Sequence, residues 1–227
     1  MTQPVPGSGA LSQRERELTA RVHTVVTLGP DTLMVKALPP GALERYLAAE
    51  VSQGVWGQRS PFDYRTVGGT VARAQDLARL RTPVEFLRAL RLDYPGSPFR
   101  PDLPVLHLLE FRVVEPNKFV VPFGAPSVSD PAAPLPWDSD AVREAAYAMA
   151  DAAEAAGVDP NTYRKQINPW PYSGTGITAD PQLGVPEWWR RPDRVPGGSV
   201  IVAHRRDGER VPVAVYRGEA FGWEPVR

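Results

Sequence analysis

The sequence predicts an α+β fold of small mixed or antiparallel sheets flanked by helices and joined by long Pro-rich loops. Three observations carry this. Residues 105–114 (VLHLLEFRVV) alternate, with Val105, His107, Leu109, Phe111 and Val113 on one face and a set ending in Glu110 and Arg112 on the other, the pattern of a central strand. Residues 199–204 and 211–216 are apolar runs on either side of Asp207-Gly208, a hairpin signal. Thr82, Pro83 and Glu85 combine an N-cap, a first-turn proline and a capping partner ahead of Phe86, Leu87 and Leu90, a helix start with an apolar stripe.

The remaining elements follow in chain order. Residues 1–11 are Pro, Gly and Ser rich and predict a flexible lead-in, so that 12–227 form one domain, with a possible subdivision in the Pro-rich loop at 124–138. Ser12 and Glu15 open an amphipathic helix carrying Leu18, Val22 and Val25, which Gly29-Pro30 ends. Residues 32–38 (TLMVKAL) predict a strand, and Pro39-Pro40 leads into a helix over 42–51 with Leu43, Tyr46, Leu47 and Val51 inward. Gly68-Gly69 lets the backbone turn tightly or come close to a ligand within 64–76. The turn 94–97 (YPGS) stops the helix begun at Thr82, residues 119–123 suggest a short strand, and Ser139 caps a small-residue helix that runs to Ala156 before Gly157. From there the chain reads as loop until residue 199, and Pro212 places the second hairpin strand at an edge or a bulge.

Composition narrows the chemistry. Lys plus Arg and Asp plus Glu are 26 each, so no overall field holds a polyanion and nucleic acid is not an expected partner. With no cysteine the chain has neither disulfides nor thiolate zinc sites. No run approaches the roughly 18 apolar residues of a membrane span, and residues 1–10 lack the charged start and apolar run of a signal peptide, so a cytoplasmic location is expected, with specialised secretion left open. A Walker A loop, a Gly-x-Gly-x-x-Gly turn, a Gly-x-Ser-x-Gly elbow and a His-Glu-x-x-His helix are all absent, and His23, His107 and His204 are too scattered for a local metal motif.

Two segments carry groups suited to holding a ligand. In 64–73, Tyr64, Arg65, Gly68, Gly69 and Arg73 offer guanidinium forks and backbone donors to phosphate; the plainer alternative is a glycine turn beside solvated arginines. In 172–189 a Gly-Thr-Gly turn precedes Pro186-Glu187-Trp188-Trp189, where a carboxylate beside an apolar wall suits chemistry on a planar cationic ring; the alternative is core tryptophans and a surface Glu187.

The order of these segments resembles a known family. A strand with a basic residue and its following helix (MVKALPPGALERYL), a glycine-containing middle segment (VGGTVARAQD) and a late Gly-x-Thr and Pro-Glu pair (GTGIT, VPEW) are similar in layout to ADP-ribosyltransferase-fold enzymes and their NAD-glycohydrolase relatives. The resemblance implies that Lys36 takes the place of the family's first-strand Arg or His, Gly69-Thr70 the middle place, and Glu187 that of the late catalytic carboxylate. It further implies NAD as substrate, cleavage of the nicotinamide–ribose bond with Glu187 stabilising an oxocarbenium-like ribose, and either water or a protein as acceptor. Arg65 or Arg73 would hold the pyrophosphate, Tyr64 or Trp188 would stack on nicotinamide, Thr178 would bond the ribose, and no metal is needed. Lys36 departs from the family's Arg or His, no Ser-Thr-Ser triplet is present, and the late segment around Glu187 holds no Glu-x-Glu pair. The alternative from another class is a non-catalytic docking module, of immunity or adaptor type, anchored by Pro-rich loops and by exposed tryptophans among Trp170, Trp188, Trp189 and Trp223.

Overall fold

The computed structural model describes residues 28–54, 61–90, 92, 97–120 and 185–226. The helices expected from Ser12 and Ser139, the loop 124–138, Trp170 and Thr178 lie outside the described residues. Contacts group the chain into residues 1–27 with 120–187, and residues 28–119 with 188–227; nearly all described residues belong to the second unit.

That unit is strand-rich. Its strands are β1 (Leu33–Leu38), β2 (Val51–Ser52), β3 (Phe62–Asp63), β4 (Thr66–Arg73), β5 (Val105–Arg112), β6 (Phe119–Val120), β7 (Glu187–Arg194), β8 (Val200–Arg205), β9 (Arg210–Tyr216) and β10 (Trp223–Pro225). Three short helices interrupt them: α1 (Ala42–Leu47), α2 (Ala74–Leu77) and α3 (Pro83–Ala89). Eight strands form one sheet in the order β10-β9-β8-β5-β1-β4-β7-β6, while β2 and β3 pair separately. The pairings β1–β4, β1–β5, β5–β8, β8–β9 and β9–β10 are all antiparallel. The helix-flanked small sheets expected from sequence are thus replaced by one broad sheet, within the α+β class.

This sheet rolls up. Neighbouring strands lie about 4.8 Å apart, so in a flat sheet β10 and β4, five steps apart, would be separated by about 24 Å. Instead Trp223 Nε1 donates a 2.9 Å hydrogen bond to the carbonyl of Tyr64, two residues before β4, and the indole packs edge-on to Tyr46 of α1 at 5.2 Å. Side chains alternate across a strand, and the registers Met34↔Phe111, Lys36↔Leu109, Leu109↔Ile201, Ile201↔Ala214 and Trp223↔Tyr216 put all of these residues on the concave face. The convex face carries Val35, Leu106, Leu108, Val202 and His204, and α3 covers it, with Phe86 edge-on to His204 at 4.6 Å. The helix starts as expected: Glu85 Oε2 accepts from the backbone N–H of Thr82, and Phe86, Leu87 and Ala89 are buried.

The hairpin closes at Gly208 (φ 86), and Pro212 sits at a register shift between Ile201 and Val202, a bulge that accommodates a residue without an N–H donor. β5 is central, between β1 and β8, but both of its faces are covered, with Leu106 and Leu108 as buried as Leu109 and Phe111. Three expectations need correction. The helix from Ala42 ends at Leu47, because Ala49 takes a left-handed φ of 51 and turns Val51 into β2. Gly68-Gly69 is not a turn; it lies inside β4, where a Cβ on Gly68 would stand 2.6 Å from the Pro192 Cα of β7. Within the stretch read as loop-rich before residue 199, Glu187–Arg194 forms β7.

Gly68 is therefore a packing requirement. A Gly68→Ala variant is expected to lose about 1–3 kcal/mol of stability through overpacking against backbone that cannot move aside. Gly197→Ala, where an added Cβ meets nothing within 4 Å, is expected to stay within about 0.5 kcal/mol. Urea unfolding midpoints at unchanged slope check both.

Candidate functional site

The structure distributes the candidate residues over three adjacent strands, β1, β4 and β7. On β1, Lys36 lies on the concave face between Met34 and Leu38 and is half-buried. Its ammonium abuts Gly69 of β4, where an added Cβ would lie 3.0 Å from Nζ. Gly69 has φ 85, a conformation that side chains disfavour, so the absence of a side chain beside Lys36 is built into the backbone. Lys36 has no carboxylate partner among the described residues, and burial alone lowers its pKa from 10.5 to about 8.

Tyr64 and Arg65 stand at the corner where the sheet closes. The Tyr64 ring lies against Gly222, and Arg65 reaches over it, its guanidinium carbon 5.6 Å from the ring centre. Arg65 is held by Asp63 through hydrogen bonds of 2.8 and 2.7 Å, and its side chain is 44% exposed. Arg73 is paired to Asp76 at 2.7 and 2.9 Å and stacks over Trp188 at 5.6 Å. Trp188 is buried and serves that contact, as Trp223 serves the closure, so neither is the exposed docking anchor considered from sequence. Thr70 is half-buried on β4.

Glu187 opens β7. The surface position considered for it from sequence is corrected: it is 2% exposed, its Oε2 has no hydrogen-bond partner among the described residues, and desolvation raises its pKa well above 4.5. Burial therefore favours its protonated form. Strand alternation directs Glu187 to the opposite side of β7 from Trp188 and Arg190. Arg190 faces Phe111 and Phe119, which fixes that other side as the one β5 shares with Lys36. The structure thus brings Lys36 and Gly69 together and places Tyr64 with Arg65, while Glu187 projects from the other surface of its strand.

Sequence reasoning missed Arg190. It is buried, its Nη2 donates to Asp193 and to the Arg194 carbonyl, and its Nε has no partner among the described residues. Asp193 also accepts from Lys118 at 2.7 Å, and these cations hold its carboxyl down to about 2. The alternation of Trp188 and Arg190 was the available signal, obscured because arginine reads as solvated. Among the described residues no group of three His, Asp or Glu is arranged to hold a metal. No family profile, curated protein or solved structure matches the chain.

The burial of Glu187 has a measurable consequence. Its folded pKa is raised, so as pH climbs past 4.5 the unfolded carboxyl ionises first and stability falls until the folded pKa is reached. Glu187→Gln is expected to flatten that fall above pH 4.5, as read by thermal or urea midpoints. Equal pH slopes in both proteins would mean that Glu187 ionises within the fold.

Proposed function

We propose that the chain binds NAD and has an ADP-ribosyltransferase-like architecture, its reaction being cleavage of the nicotinamide–ribose bond with water or a protein acceptor. The observation that carries the binding half is Lys36: an ammonium without a carboxylate partner among the described residues, set against a glycine whose φ of 85 keeps side chains away. At pH 7 a group of pKa about 8 is still mostly charged and suits a phosphate oxygen. Arg65 is the second contact the arrangement supports, since an exposed ion pair contributes little and exchanges readily for a ligand phosphate. Arg73, enclosed by Asp76 and Trp188, is less suited to that exchange.

Cleavage rests on Glu187 and makes a separate demand. Burial favours the protonated carboxyl, which does not stabilise an oxocarbenium ion, and Glu187 projects from the side of β7 opposite to the face that carries Lys36, so cleavage requires the nicotinamide ribose to reach that other side and its positive charge to draw the proton off. The docking-module reading retains one supporting observation, Phe221, which is 74% exposed in the turn before β10.

Calorimetric titration separates these readings. NAD is expected to bind the unmodified protein, with Lys36→Met weakening the affinity about tenfold or more, equivalent to about 1.4 kcal/mol. Nicotinamide release is expected to drop by orders of magnitude in Glu187→Gln. If NAD fails to bind the unmodified protein even at millimolar concentration, the nucleotide reading is wrong and the docking module is the better account.

A further inference from the structure

The chain holds three lysines, Lys36, Lys118 and Lys165, against 23 arginines. Arginine supplies nearly all of its positive charge, including the surface ion pairs to Asp63, Glu50, Glu110, Glu209 and Glu224. Lysine differs from arginine in the one property that matters inside a fold: it can give up its proton and become a nucleophile. Of the two lysines within the described residues, Lys118 is used as a charge, bridging Glu115 and Asp193 at 2.8 and 2.7 Å. Lys36 has no such partner, its stem lies along the concave face beside Met34, Leu38 and Leu109, and its nitrogen stands against Gly69.

We propose that Lys36 is a covalent site, its amine condensing with a small aldehyde to form an imine. The neutral amine attacks the carbonyl carbon, a C–N bond forms, and the carbonyl oxygen leaves as water with the two hydrogens of the amine. Electrons balance without an oxidant or reductant. The aldehyde is the only co-reactant. The apolar flank of Met34 and Leu109 disfavours the charged form of the nitrogen, and Gly69 leaves the attacking atom without a side chain pressed against it. With a pKa of about 8, about a quarter of Lys36 is neutral at pH 7.5, whereas an ordinary lysine is neutral in roughly one molecule in a thousand. This inference goes beyond the nucleotide reading and does not require NAD.

The test is reductive trapping. The full chain is incubated with glycolaldehyde or with glyoxylate and cyanoborohydride at pH 7.5, and the adducts are mapped by peptide mass spectrometry. Lys36 is expected to be trapped at least about tenfold faster than Lys118 or Lys165, and the preference is expected to vanish when the protein is unfolded in urea, because it belongs to the folded environment. Glyoxylate outpacing glycolaldehyde would add that the site draws an anionic aldehyde. Lys36→Arg, checked for fold by circular dichroism, is expected to remove the fast adduct with no compensating site. Trapping at Lys36 no faster than at Lys118 in the folded protein overturns the proposal. Since the readout needs no nucleotide, that outcome leaves the NAD titration to be judged separately.

Discussion

Closure of the sheet by Trp223 is the contact on which the rest of this structure depends. β10 is a three-residue edge strand with a proline in it, held to the sheet by β9 alone. Its indole bonds to the Tyr64 carbonyl and packs against Tyr46 and Tyr216 at 5.2 and 5.3 Å, so one side chain ties the last strand to the approach of β4 and to α1. Aromatic pairs contribute about 0.5–1.5 kcal/mol each beyond area burial. The closure also gives the sheet an inside. Met34, Lys36 and Leu109 lie on the same concave face as Trp223 and Tyr216.

How far this was legible in the sequence depended on whether each local signal agreed with its tertiary use. β5, the hairpin of β8 and β9, and α3 agree at every level: period-two alternation, a Gly at the positive-φ position, and a capping box that forms. β4 and β7 do not. Gly68-Gly69 reads as a turn and Pro192 as a strand breaker, yet each explains the other. β7 approaches β4 so closely that only glycine fits opposite Pro192, and a proline ring with no N–H is tolerated where the facing residue has no side chain. Arg190 compounds the difficulty, because its burial against Phe111 and Phe119 is a partnership between distant segments that no window of sequence reveals. The same holds for the candidate site. The proximity of Lys36 to Gly69 comes from the pairing of β1 with β4, and the face of β7 that carries Glu187 is set by that strand's phase, neither of which a window of sequence reveals.

Lys36 and Glu187 pose opposite electrostatic problems. Burial lowers the one and raises the other, in each case with desolvation as the cause, and neither draws on an opposing charge. Had β7 been shifted by one residue, its alternation would have turned Glu187 toward the face that Arg190 now shares with Phe111. Instead Arg190 occupies that face, sheltered by two rings and anchored to Asp193, whose own carboxyl is stabilised by Lys118. Burial thus shifts both groups toward their neutral forms, while several other charges among the described residues are held in ion pairs.

That asymmetry bears on why position 36 is a lysine in a chain that otherwise favours arginine. An arginine there would keep its charge at any accessible pH and would need an acceptor that neither Gly69 nor the apolar flank provides, leaving a buried guanidinium unsatisfied. Lysine eases that cost because burial can lower its pKa, here to about 8, with no carboxylate partner among the described residues. The property that makes Lys36 tolerable to the structure is the one that makes its nitrogen chemically available. Tolerance of the lysine and the reactivity proposed for it therefore trace to one cause, the desolvation of its nitrogen beside Gly69.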